Sequence, residues 1–221
     1  QHTHQSIQLA RQYESIIDRS IIAEVFLARL KLAQGEVNAA DSILAKTDES
    51  ARQHNFIHRM PEIAAARVLT LLRQGDLAEA GQLAQMYGLP LSQARVLLAQ
   101  GDPSAALDAL RIYRQQVEAK NWQDERLKTM ILQAVAVHAQ GADGEAMQTL
   151  REALTLAESE GFIRLFVDEG TPMTQLLSEA LAQGILPAYV GKLLAAFEGE
   201  KHTTRETSSS PRAISLQPLI E

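Results

Sequence analysis

The chain has 221 residues, 46% apolar but only 5% aromatic, with no cysteine and a formal charge of −6. That is enough apolar matter for a sizeable core. The missing cysteine excludes disulfides, thiolate zinc sites and thiol nucleophiles, and the acidic balance argues against a nucleic-acid grip, which needs a clustered basic face.

Alanine and leucine carry most of the apolar content, which favours helix over sheet. In chain order, an outer helix is expected over residues 3–18. Helix pairs follow at about 20–34 with 37–54, 60–74 with 77–87, 91–100 with 103–119 and 122–140 with 144–160. Shorter helices are expected at 162–168, 172–183 and 187–198, so that 1–198 forms one helical domain. From Gly199 the run GEKHTTRETSSSPRA is polar and aperiodic and reads as a linker over 199–221. Polar residues recur too often for an apolar span of about 20 residues, so no membrane helix is expected. No secretory leader is read before the first helix, and a cytoplasmic location is expected.

Internal self-similarity is the strongest signal. Four segments end a helix with Gln-Gly and restart at once: RLKLAQGEVNAADSIL, LTLLRQGDLAEAGQLA, RVLLAQGDPSAALDAL and VAVHAQGADGEAMQTL. The glycines are Gly35, Gly75, Gly101 and Gly141; five residues on stand Ala40, Ala80, Ala106 and Ala146, and nine on Leu44, Ala84, Leu110 and Leu150. Glycine just past a helix takes the left-handed conformation that ends it. Asp76 and Asp102 then serve as N-caps, Asp76 with Glu79 makes a capping box, and Pro103 fills N1. Small and large side chains four apart share one face of the second helix, so the two helices nest closely. The fold class is therefore all-α, a TPR-like superhelix of antiparallel helix pairs around a concave groove. Spacings of 40, 26 and 40 between the glycines are irregular for such an array.

The stretch GFIRLFVDEGTPM, residues 161–173, is the densest cluster of large apolar side chains. Phe162, Ile163, Leu165 and Phe166 form a helical stripe that predicts a short plug at the end of the solenoid. Arg164 and Asp168 are placed to pair across one turn, and Thr171-Pro172 to cap and start the next helix. The other reading of Asp168 and Glu169 is an acidic edge for a ligand or partner.

Positions six and three before each stop glycine face the groove in TPR-like pairs. Here they are Arg29, Leu69, Arg95 and Val135, then Leu32, Leu72, Leu98 and His138. Arg29, Arg95 and His138 are the candidate ligand or partner contacts, polar groups among apolar neighbours. Substituting Arg29 and Arg95 is expected to weaken binding and spare the fold. Other chemistry lacks support. Gly191-Lys192 has the wrong spacing for a P-loop, and there is no G-x-S-x-G elbow. The acidic pairs Asp124/Glu125, Glu158/Glu160 and Asp168/Glu169 read as solvated faces and helix ends. His54 and His58 are i, i+4 but lack a third ligand, Trp122 reads as packing, and neither a metal site nor catalysis is expected.

RLFVDEGTPMTQLL, followed by GILPAYVGKLLAAF, resembles the helical region of MalT-like transcriptional regulators, the large ATP-dependent members of the LuxR type. The matching motif residues are Arg164, Phe166, Asp168, Glu169, Gly170 and Met173, read as structural. The resemblance covers roughly residues 20–198, and LQPLIE is similar to the lead into a LuxR-type helix-turn-helix. It implies a signal-sensing and interaction segment whose groove takes a small-molecule inducer or a regulatory protein, with possible self-association. It also implies ATP binding and promoter DNA binding in domains outside these 221 residues, with no cofactor in this chain. The alternative is a free-standing TPR-type adaptor that grips a peptide or partner protein.

Overall fold

The computed structural model describes residues 2–208, with side chains described over 15–199. Among these residues the fold is all-α, with no strand. The helices are α1 (His2–Ala33), α2 (Val37–Gln53), α3 (Met60–Gln74), α4 (Leu77–Met86), α5 (Pro90–Ala99), α6 (Pro103–Ala119), α7 (Gln123–Ala139), α8 (Asp143–Glu158), α9 (Arg164–Val167), α10 (Thr171–Ala182) and α11 (Pro187–Ser208). A 3-10 turn, Ile57–Arg59, precedes α3.

From α1 to α8 each helix packs on the next, α9 packs on α7, α10 and α11, and α1, α3, α5 and α7 also pack on one another in order. The odd-numbered helices thus form a continuous inner layer and the even-numbered ones flank it. The core follows the same order. One cluster joins α1 to α3 through Ile21, Leu44 and Ile63; a second joins α3 to α5 through Val68, Ala84 and Val96. A third joins α5 to α7 through Ala94, Leu110 and Leu132, and the largest ties α7 and α8 to α9, α10 and α11.

The helix stops explain the uneven glycine spacing. Positive φ occurs at Gly35, Asn55, Gly75, Gly88, Gly101, Asn121, Gly141 and Gly161. Those stops stand twenty residues apart up to 75, thirteen apart from 75 to 101, and twenty apart again to 161. At Gly75 the closing bonds run from the Gly75 N–H to the Leu72 carbonyl (3.3 Å) and from the Asp76 N–H to the Leu71 carbonyl (3.0 Å). This is the double closure that a left-handed residue permits at a helix end. The same pair of bonds recurs at Gly35, Asn55, Gly88, Gly101 and Asn121. Asparagine is the non-glycine residue most tolerant of this conformation, which is why it stands at two of the turns.

The caps follow the sequence in part. The Asp76 carboxylate accepts from the Glu79 N–H and the Asp102 carboxylate from the Ala105 N–H, both at 2.9 Å. The return half of the expected box is replaced, because the Asp76 N–H already serves the Leu71 carbonyl. Ala40, Ala80, Ala106 and Ala146, and their partners Leu44, Ala84, Leu110 and Leu150, are all fully buried.

Other expectations need correction. No break separates 3–18 from 20–34: residues 15–33 contain no Gly, Pro or Asn to end a helix, and α1 runs straight through. The last helix passes Gly199 and reaches Ser208 rather than giving way to a linker there; residues 209–221 lie outside the described range. The short helix α9 begins at Arg164, so Ile163 precedes the first helical turn and is exposed, while Val167 is buried beside Phe166. Gly170, with φ 71, takes the N-cap of α10, and Thr171-Pro172 follow as its first residues. Trp122 is half exposed, with the Lys120 ammonium 4.4 Å from its ring centroid.

Overfilling the helix crossings tests this packing. Ala106→Trp or Ala146→Trp should lower unfolding stability by about 1–3 kcal/mol or more in urea titrations, against no change for an exposed position such as Ala78→Trp.

Candidate functional site

The phase set by each stop glycine decides what the inner layer presents. Arg29, Leu69 and Arg95, each six residues before its glycine, line one cavity of about 420 Å³. Its walls also carry Val25 of α1, Glu62 of α3, Tyr113 of α6, and Glu125 with Lys128 of α7. The cavity lies where α5 is short. At thirteen and sixteen residues before their glycines, α3 and α7 still place Glu62, Lys128 and Glu125 on helix, whereas α5 starts only at Pro90. The missing turns leave the space between them.

The segment Leu165–Glu169 closes one side of this cavity. Asp168 Oδ2 accepts from Arg29 Nη2 at 2.9 Å, and Asp168 Oδ1 from Arg164 Nη2. Glu169 takes both prongs of Arg95: Nη2 to Oε1 at 2.6 Å and Nε to Oε2 at 3.1 Å. The bonds to Arg29 and Arg95 span 139 and 74 residues of sequence. The motif residues therefore clasp the two arginines that the sequence assigned to a ligand. Asp168 does stand at a helix end, as the C-cap of α9, but neither carboxylate forms a solvated face. Phe166 and Met173, fully buried, anchor the clasp in the largest core cluster.

The Glu169 side chain is only 6% exposed and that of Arg95 20%. Burial works against the Arg95 charge, but the negative charge of Glu169, with Asp168 and Glu125 beyond, more than offsets it and raises the guanidinium above its ordinary value. Glu125 was also read as solvated, yet it is half-buried and bonded. Tyr113 Oη donates to it at 2.8 Å and Lys128 Nζ at 2.7 Å. Burial opposes its charge too; those two bonds and the fields of Lys128 and Arg95 prevail and hold the carboxyl below its ordinary range. Burial, then the bond to Glu125, push the Tyr113 hydroxyl up.

His138 does not join this group. Its Nδ1 lies 2.8 Å from Asp143 Oδ1 across the turn between α7 and α8. Val135, the fourth residue of the series, is buried in the core shared with α10 and α11. The two remaining histidines of interest are separated by the stop at Asn55, so they do not share a helix face. His54 Nδ1 contacts the Ser50 carbonyl oxygen, and His58 Nε2 contacts Asp18 Oδ1 at 3.3 Å. Sequence reasoning missed Tyr113, Glu125 and Lys128. The Glu125/Lys128 spacing of i, i+3 was visible, but nothing local aims either of them at Arg95.

Two measurements test the clasp. Arg95→Ala leaves the Glu169 carboxylate buried without its partner, and should cost about 3–5 kcal/mol in chemical unfolding; this replaces the expectation that the fold is spared. Replacing both Arg95 and Glu169 by Leu and Met, of similar reach, should cost much less. For pH, a folded value below the ordinary 4.5 means that Glu125 stabilises fully above that value. The contribution disappears as pH falls through the lower folded value. Glu125→Gln should therefore flatten the acid limb of the stability curve, measured by melting from pH 7 to pH 3.

Comparison with known proteins follows the same lines. Neither a curated protein nor a solved structure matches the chain at a significant level. The family model described as MalT-like TPR region matches residues 1–183, which takes in α1–α10 and the clasp. The chain belongs to the MalT-like TPR family.

Proposed function

We propose that this chain is the signal-sensing and coupling segment of an ATP-dependent, LuxR-type transcriptional regulator, working in the cytoplasm and without catalysis of its own. ATP binding and promoter binding are assigned to other domains of the full-length protein. The observation that carries the reading is the clasp over the concave cavity. A cavity walled by α1, α3, α5, α6, α7 and α9, its rim held by two ion pairs, is suited to report occupancy. A small-molecule inducer or a regulatory protein that contacts Arg29 or Arg95 must compete with Asp168 or Glu169. The loser of that competition is the segment joining α9 to α10, through which the change reaches α10 and α11.

An acidic chain fits this role better than direct DNA contact. Membership in the MalT-like family supports a regulator over a free-standing adaptor. The gene itself provides one test: a nucleotide-binding domain upstream and a basic helix-turn-helix downstream are expected, and their absence from the full reading frame would defeat the regulator assignment. In the full-length protein, Glu169→Gln keeps the side chain's shape and removes the charge that holds Arg95. Reporter transcription should then shift toward inducer-independent expression, while an unchanged basal level and dose response would reject the coupling role of the clasp.

A further inference from the structure

We propose that a recess beside the main cavity binds the phosphate group of a phosphate monoester, whose body lies in that cavity; this deepens, and rests on, the groove-sensing reading above. Three guanidinium groups from three separate elements line the recess, Arg29 of α1, Arg73 of α3 and Arg164 of α9, around about 30 Å³ of space. Asp168 is the one carboxylate among the described lining residues. Among the described residues three positive groups face one negative, an excess of positive charge that suits a phosphate anion.

Asp168 already behaves as a stand-in for such an anion, its two oxygens each taking a guanidinium, from Arg29 and from Arg164. Arg73 forms no ion pair among the described residues, so the set is one acceptor short. A phosphate offers three oxygens where a carboxylate offers two, and guanidinium forks match its geometry. Arg29 and Arg164 are each 48% exposed at the side chain, which leaves the recess open to solvent. Arg29, Leu69 and Asp168 line both spaces, so the recess adjoins the main cavity, and parting the Arg29–Asp168 pair opens one toward the other. A ligand held by its phosphate there lays its remaining atoms over Val25, Leu69 and Leu165. Binding displaces Asp168, the immediate neighbour of Glu169, and so loosens the rim at the Arg95 pair.

The test is calorimetric titration of the chain with inorganic phosphate and with glycerol 3-phosphate, at an ionic strength fixed with chloride. Both should bind, the ester more tightly. Arg73→Gln should weaken binding about tenfold without changing the melting temperature, and Asp168→Asn, which removes the competing charge, should strengthen it. No binding above the chloride background, or equal affinity in Arg73→Gln, would overturn the site. Weaker binding in an Asp168→Asn variant with native circular dichroism would do the same. Equal affinity for the two probes would overturn the placement of the ligand's body in the main cavity. Because phosphate binding is read directly, its absence alongside an intact reporter response would remove this site and leave the regulator reading standing.

Discussion

The structure depends on a backbone constraint repeated along the chain: one residue in the left-handed region after each repeat helix. It ends the helix, satisfies two of its last carbonyls, and turns the chain back at a fixed angle. Because each stop also fixes the rotational phase of the helix before it, residues at equal distances from their stops face the same way. Arg29, Leu69 and Arg95 meet on one cavity for that reason. The change of spacing from twenty to thirteen preserves the relation. Seven residues are close to two turns of 3.6, so α4 and α5 lose length, about 10 Å each, without rotating their buried faces. Ala80 and Ala84 remain as buried as Ala40 and Leu44.

That shortening links architecture to function. A solenoid of equal rods would fill its inner layer evenly. Here the missing turns of α5 leave a hollow whose neighbours are the first turns of α3 and α7. The hollow is polar because the opening turns of those helices carry Glu62, Glu125 and, one turn further along α7, Lys128. Charges this close to the interior are tolerable only when paired and hydrogen-bonded. Each cation on the cavity wall meets that condition: Arg29 with Asp168, Arg95 with Glu169, Lys128 with Glu125.

Much of this was legible in the sequence, for local reasons. Gln-Gly stops, Asp caps and the small residues five positions on are set within a few residues of each other, and α3 and α6 fall on their expected bounds. The turns at Asn55 and Asn121 were harder to read, because asparagine adopts positive φ only where the surrounding helices impose it. Ile163 was misplaced because a stripe of apolar residues does not show at which one the helix begins. The clasp was beyond reach for a different reason. DEG and the two arginines were each conspicuous, but 139 and 74 residues separate them, and no spacing rule joins such distances.

The clasp also reverses the usual meaning of an ion pair. Arg29 is half exposed and regains water when it leaves Asp168, whose other oxygen still holds Arg164, so this bond is the weaker of the two. The pair next to it differs: Glu169 is almost wholly enclosed, and separating it from Arg95 strands a charge. A weak outer bond and a strong inner one on adjacent residues form a graded latch. The outer bond yields to a modest competitor in the recess, while the inner bond yields only when its replacement satisfies Arg95 as well. Under the proposed sensing role, a ligand that reaches both arginines would therefore have a larger effect on the α9–α10 segment than one that reaches only the rim.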